Sequence, residues 1–387
     1  MKTSFRKGSV YLLAALITFV VTSAQALGDQ SGKEWVIPYI MTQTGPYSAV
    51  SGVMAYAAQD AVTQINSKGG AGGRPMRLVF YDDAADPAKT VAELSKVIED
   101  NLIIFGPVID PAHQAAMPLA QRNNAFLFCT NLSPMSWEKF KGNAITFWPD
   151  YETAIGLFAP IWFRDNPDMK NVVTIFDPRN AFLVMTQKLY RKVFEAHGVK
   201  VLNEVELGEG VDVGAAVIKA MGQKPDGYTI IALPGDTGRV VLELDKRGVG
   251  KKGDILLYPT TDSPDFFSTV AGKGDGVYLW NFYNTRSDTP AWAAFVERYA
   301  RDHRGMRPGV FAILAQNTVL LAKRAIDDLG LTGQKAKLAE ERKKLMAYMA
   351  NVKNFEGATG TLDIVNYRAK VNPFLFRIKG DDLVLVK

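Results

Sequence analysis

Residues 35–87 restrict the folds open to this chain more than any other stretch. Trp35 to Met41 form an apolar run with the length and bulk of a buried strand. The turn Thr44-Gly45-Pro46-Tyr47-Ser48 follows. Val53, Ala57, Ala61 and Ile65 then recur every four residues, so they share one helix face. Lys68-Gly69-Gly70 stops that helix, and residues 76–81 read as a second strand. Strand, helix and strand at this spacing make a βαβ unit with a right-handed crossover. Open α/β sheets bind ligands at the C-terminal ends of their strands, which makes residues 42–51 the candidate ligand loop.

The alternation continues. Asp86-Pro87 reads as N-cap and first residue of a helix running to about Asp100. Residues 102–105 form a strand, 112–123 a helix and 126–129 a fourth strand. Short connections of this kind predict a parallel sheet covered by helices on both faces. Residues 146–151, TFWPDY, break the rhythm with aromatics and a proline, and the first passage between domains is expected there. A second series follows, with helices at 154–166, 182–197, 213–223 and 237–247. Its strands are expected at 172–176, 199–207, 228–233, 255–258 and 276–282. Two long helices (290–304 and 309–329) and a Lys/Glu-rich helix (334–349) precede strands at 374–378 and 383–386. Gly380-Asp381-Asp382 between those last strands is a hairpin turn signal.

The first 26 residues have the form of a secretory signal. Lys2, Arg6 and Lys7 make the positive end, residues 10–21 the apolar run and Ala24-Gln25-Ala26 the cleavage site. This twelve-residue run falls short of the roughly 20 that a membrane span needs. The residue directly after Ala26 is Leu27, not a cysteine, which argues against a lipid anchor. Removing 26 of 387 residues leaves 361, a length suited to two domains. It also leaves 42 basic against 40 acidic residues, net +2, so the charge implies no nucleic-acid partner. The one cysteine, Cys129, lies in the apolar run 125–129 and reads as a buried inert thiol.

Two α/β series with a helical group and a β tail leave three architectures open. A single (β/α)8 barrel meets the strand count, but the break at 146–151 and the terminal hairpin fit it poorly. A dinucleotide-binding fold requires G-x-G-x-x-G after the first strand, where TQTGPYSAVSG stands instead. Gly69-Gly70-Ala71-Gly72-Gly73 follows a helix and precedes a strand, the wrong end for phosphate, and reads as a helix stop and connector. His113, His197 and His303 are scattered without metal-ligand spacing. The carboxylate pairs Asp82-Asp83, Asp327-Asp328 and Asp381-Asp382 sit at element ends, where capping explains them. No nucleophile, base and orienting group assemble, so the chain reads as a binding protein rather than an enzyme, with no cofactor.

TGPYS, then INSKGG spaced to YDDAADP, resembles the periplasmic solute-binding proteins of branched-chain amino acid transport. IIFGPV (103–108), TNLSP (130–134) and VVTIFDPRN with its following helix extend the likeness over nearly the whole mature chain. The resemblance implies a type I clamshell: two lobes, each a mainly parallel sheet flanked by helices, joined by three hinge crossings. It places lobe 1 at 27–150 and 284–362 and lobe 2 at 151–283 and 363–387. It also implies a monomer that delivers a small-molecule solute to an inner-membrane ABC permease and its ATPase.

In the amino-acid-binding members, a serine hydroxyl after the GP turn and the TNLSP-like loop hold the ligand's carboxylate and ammonium. Carried over, these positions fall at Asp110 and at Thr130 to Leu132. The second lobe's aromatic and acid land near Ala181 and Thr260. Asp110 in place of a hydroxyl repels a carboxylate, and Thr260 in place of an acid removes the ammonium's counter-charge. An aliphatic amino acid is therefore a poor candidate ligand. The disulfide of the leucine-type members has no counterpart, since its positions fall near Ala85 and Ile109. The expected ligand contacts are Tyr47, Ser48, Asp110, Pro111, Ala112, Thr130 and Asn131 in lobe 1. In lobe 2 they are Tyr151, Asn180, Phe182, Asp236, Thr260 and Asp262. The leading expectation is a periplasmic receptor for an ABC importer. A ligand-sensing module for a membrane receptor and a secreted α/β enzyme are the alternatives.

Overall fold

The computed structural model describes residues 33–45, 47–208, 210–249 and 253–386. The expected signal segment, 1–26, lies outside the described residues. The first series is β1 (Trp35–Met41), α1 (Ser48–Asn66), β2 (Met76–Asp82), α2 (Pro87–Val97) and β3 (Ile104–Phe105). It continues with α3 (Asp110–Arg122), β4 (Leu127–Phe128) and α4 (Pro134–Phe140). Among the described residues these strands form one parallel sheet in the order β2-β1-β3-β4. Ile37, Tyr39, Ile40 and Met41 of β1 are fully buried. Each such side chain contributes about 1.5–3 kcal/mol relative to exposure.

The second series opens with α5 (Tyr151–Asp165), β5 (Asn171–Phe176), α6 (Ala181–Ala196), β6 (Lys200–Glu206) and α7 (Val213–Met221). β7 (Gly227–Ile231), α8 (Pro234–Asp245), β8 (Ile255–Leu257), α9 (Pro264–Val270) and β9 (Tyr278–Asn281) complete it. Then come α10 (Pro290–Asp302), α11 (Val310–Leu329) and α12 (Leu338–Met349). The chain ends with β10 (Asn351–Gly357), β11 (Gly360–Val365), β12 (Arg368–Lys370), β13 (Phe374–Lys379) and β14 (Asp382–Leu385). The second sheet runs β14-β13-β9-β8-β7-β5-β6, parallel from β5 to β9, with the terminal hairpin added antiparallel at its edge.

The α1 helix forms where expected and packs along α11. Its buried stripe is Met54, Ala57, Ala58, Ala61, Val62 and Ile65, with Val53 only half-buried at the margin. Asp86 caps α2, accepting from the Ala88 N–H at 2.7 Å, with Pro87 in the first turn. The glycine connector has a steric reason. A Cβ on Gly70 would meet the Arg74 carbonyl oxygen at 2.0 Å, inside the tight 71–74 turn.

Three features were not anticipated. The short helices α4 and α9 each start at a Ser-Pro pair, with Ser133 and Ser263 as caps. The sheet β10-β11-β12 has no period-2 pattern to announce it, because a register shift between Val352 and Phe355 interrupts β10. β12 also keeps the chain beside Thr146, through Thr146 N–H to the Tyr367 carbonyl and Ala369 N–H to the Thr146 carbonyl. Passage into the second sheet therefore falls after Lys370, later than residue 362.

The passages between sheets pack on one another. Trp148 from the first stacks on Tyr151 and meets Phe282 from the second at 4.8 Å between ring centroids. The Tyr283 hydroxyl donates to the Phe147 carbonyl at 3.1 Å.

Candidate functional site

The strand order of each sheet reverses once, between β1 and β3 in the first and between β5 and β7 in the second. A crevice opens where such an order reverses, outside the strands' C-terminal ends. On the first sheet, β1 runs out toward Tyr47, β3 toward Asp110 and β4 toward Asn131. On the second, β5 leads to Arg179 and Asn180, β7 to Leu233 and Pro234, and β8 to Tyr258 and Thr260. These residues line one shared cavity of about 250 Å³. That is near the lower end of the ~300–1,000 Å³ usual for small-molecule sites.

The loop that carries Tyr47 is built by the Asp82-Asp83 pair. The Asp82 carboxylate accepts from the Gln43 N–H at 2.8 Å and the Thr44 hydroxyl at 2.7 Å. Asp83 accepts from the Thr42 hydroxyl at 2.7 Å and the Thr90 hydroxyl at 3.0 Å. Burial opposes ionisation of Asp82, but the bonds from Thr44 and from the backbone outweigh it and hold its carboxyl below the ordinary value. The pair is a loop scaffold, as its position at an element end suggested.

Asp110 is the first residue of α3, where its charge is favoured by the helix dipole. Its carboxylate lies 3.4 Å from the Ser133 N–H and 3.5 Å from His113 Nδ1, with its side chain 14% exposed. His113 is fully buried, and its Nε2 donates to the Pro107 carbonyl at 2.8 Å. Cys129 is buried beside Gly106, and burial, with a smaller contribution from Asp110, pushes its thiol well up. It is buried, as the sequence indicated.

Opposite, Asn180 caps α6 by accepting from the Phe182 N–H at 2.9 Å. Arg179 clasps Asp177 with two bonds of 2.8 and 2.7 Å and reaches Asp236 at 3.3 Å. Burial raises the Tyr47 phenol, the Asn180 side chain opposes this, and Asp177 adds to the rise. Tyr47 of the first series thus faces the Asp177–Asn180 loop of the second. Trp148, Phe182, Tyr258 and Phe311 supply aromatic walls. Two buried polar atoms on residues of this lining, Trp148 Nε1 and Asn131 Oδ1, have no partner among the described residues.

Of the expected contacts, Tyr47, Asp110, Pro111, Asn131, Asn180, Phe182 and Thr260 meet at this cavity. Ser48 and Asp262 instead line a neighbouring cavity of about 300 Å³, which shares Val50, Pro234 and Phe311 with the first. Ala112 faces the core. Thr130 is buried against the Tyr39 hydroxyl at 2.6 Å. Tyr151 lies behind Trp148, fully buried. Asp236 is engaged with Arg179 and Arg239 at the start of α8. Asp262 is buried against Asn281 at 3.3 Å and Arg286 at 3.4 Å.

Sequence reasoning passed over Trp148, Arg179, Tyr258 and Phe311. Trp148 lay in the TFWPDY break, Arg179 directly before Asn180, and Tyr258 two residues before Thr260. Nothing local marks Phe311, which reaches the cavity from α11.

Among the described residues no group of side chains has the makings of a metal site, and no helix is long and apolar enough to cross a membrane. Residues 34–381 match the family described as periplasmic binding protein. The Leu/Ile/Val-binding protein of Escherichia coli K12 is 35% identical over 81 residues, 21% of this chain and 22% of that protein. A Leu/Ile/Val/Thr/Ala-binding protein of Pseudomonas aeruginosa is 36% identical over 74 residues, 19% of this chain and 20% of its own. These alignments span only about a fifth of each curated relative.

Similarity of fold extends much further. A leucine-binding protein of Thermotoga maritima superposes with a TM-score of 0.75 at 21% identity, over 91% of this chain and 98% of its own. A Rhodopseudomonas palustris solute-binding protein in complex with 3,4-dihydroxybenzoic acid gives 0.76 at 18% identity, over 91% and 95%.

Proposed function

The chain belongs to the periplasmic binding protein family, and from that premise we propose that it is the solute-binding component of an ABC importer. It works in the periplasm after removal of residues 1–26, as a monomer that hands a small solute to an inner-membrane permease and its ATPase. The observation that carries this reading is the cavity itself, walled by the C-terminal strand ends of two separate parallel sheets. A solute held there touches both lobes, and its differential affinity for the closed form shifts the hinge equilibrium. The closed form is the one the permease recognises.

The lobes follow the boundaries read from the sequence, with the last crossing moved to residues 371–373 between β12 and β13. Tyr47, Asp110, Asn131, Asn180, Phe182 and Thr260 contact the solute directly, together with Trp148 and Tyr258. Asp262 and Ser48 border the adjoining cavity, and Tyr151 supports Trp148 from behind.

One relative is named for leucine, isoleucine and valine, and proteins of this fold were solved in complex with isoleucine and with benzoate. Aromatic walls around few polar groups suit a compact ligand with a substantial apolar body. A thermal-shift screen of amino acids, aromatic acids, amides and amines tests the function. A ligand at 100 times its Kd stabilises by about 2.7 kcal/mol. If every class leaves the melting temperature unmoved, and natively purified protein carries no small molecule by mass spectrometry, the reading fails.

A further inference from the structure

Taking the cavity as the solute site, we propose that it selects a protonated amine on an aromatic or bulky apolar body, with Asp110 as the specificity-determining residue. Three observations converge. The first is the surroundings of the Asp110 carboxylate: a Ser133 N–H at 3.4 Å and the His113 ring at 3.5 Å, with no lysine or arginine ion pair among the described residues. His113 Nε2 donates to the Pro107 carbonyl, and its Nδ1, 3.5 Å from the Asp110 carboxylate, makes no hydrogen bond among the described residues. A largely buried carboxylate in an apolar setting attracts a counter-cation far more strongly than one in water.

The second is the cation across the cavity. Arg179 is clasped by Asp177 with two short bonds and shared with Asp236. A ligand carboxylate placed there would be the third on one guanidinium, because protein acids already occupy this wall. The polarity is thus the reverse of an amino-acid site that grips a carboxylate on lobe 1 and an ammonium on lobe 2.

The third is the lining between them. Trp148, Phe182 and Tyr258 present aromatic faces, which favour both an apolar body and an adjacent ammonium. Asn131 and Trp148 of the same lining each carry a buried polar atom, Oδ1 and Nε1, without a partner among the described residues.

Isothermal titration of the mature protein tests the proposal, with tyramine, benzoate, isoleucine and phenylalanine as probes. Tyramine is expected to bind about 100-fold more tightly than benzoate or isoleucine. Asp110→Asn is expected to weaken tyramine binding by about 30- to 300-fold, the usual loss when one partner of a buried charge pair is removed. Asp110→Ser is expected to improve benzoate or isoleucine binding at tyramine's expense. Circular dichroism and melting of the empty variants establish that they fold. The proposal is overturned if an acid or amino acid outbinds tyramine in the wild type, or if Asp110→Asn leaves tyramine affinity within threefold. In either case the solute-binding reading survives. If no probe binds, and the native protein yields no small molecule, both fall together.

Discussion

Gly106 sets the position of Asp110, and replacing it with alanine should cost more than its backbone angle alone explains. Gly106 ends the β3 segment with φ near +83°, and a Cβ there would lie 1.9 Å from the Ile40 carbonyl oxygen of β1. An ordinary carbon–oxygen contact is about 3.3 Å, so the two strand ends must part by more than an ångström. The left-handed backbone contributes about 1–2 kcal/mol of the penalty. Forcing apart packed backbone adds about 1–3 kcal/mol, for a total near 2–5 kcal/mol. Gly142→Ala is the control, because Gly142 also has a positive φ of 100° but open space around its Cβ position.

Urea denaturation followed by circular dichroism and tryptophan fluorescence measures both variants, with equal m-values required for the comparison. Gly106→Ala should be less stable than Gly142→Ala by at least about 1 kcal/mol. It should also lose solute affinity, because Val108 to Asp110 move with it. Equal destabilisation by the two alanines would refute the packing argument and leave only the dihedral cost.

Three further outcomes are expected. Arg342 is 7% exposed and donates to the carbonyls of Ile98, Asn101 and Asn123, tying α12 to the loops after α2 and α3. Arg342→Met strands those oxygens and should cost about 2–5 kcal/mol in the same urea assay, whereas a loss below 1 kcal/mol would contradict their burial. The Asp82 carboxyl is held below its ordinary value in the folded protein, so its contribution is complete above about pH 4. That contribution fades as pH falls through the lowered folded value. Amide exchange at Gln43 and Thr44, corrected for the intrinsic pH dependence, should rise over that acid range in the wild type and be fast and pH-flat in Asp82→Asn. Cys129, buried with its thiol pushed well up, should react with a thiol reagent roughly a thousandfold more slowly in the native than in the unfolded protein. Prompt labelling of the native chain would show that the β4 loop opens.

The opening βαβ unit was legible because parallel strands buried on both faces write themselves as continuous apolar runs, and residues 35–41 do so. Asp86 and Pro87 marked a helix start through local backbone chemistry that needs no tertiary context. The β10–β12 sheet was not legible. Only Val352 and Phe355 of β10 are fully buried, and a bulge separates them, so no alternating pattern survives.

The site divides along the same line. Tyr47, Asp110, Asn131 and Asn180 could be found because the ends of parallel strands are where ligands bind, and strand ends are local features. Thr130 and Asp262 stand in equally promising loops. Which way their side chains turn depends on partners far along the chain, Tyr39 for one and Arg286 for the other. Phe311 joins the cavity only because α11 packs along α1. By itself, then, the sequence determined the two α/β series, their strand-end loops and the unusual acid at position 110. Only the tertiary structure decided that this acid faces aromatic walls and an arginine already held by Asp177 and Asp236. Elements follow from short-range periodicity, whereas the charge balance of a cavity is a sum over residues that meet only when the chain has folded.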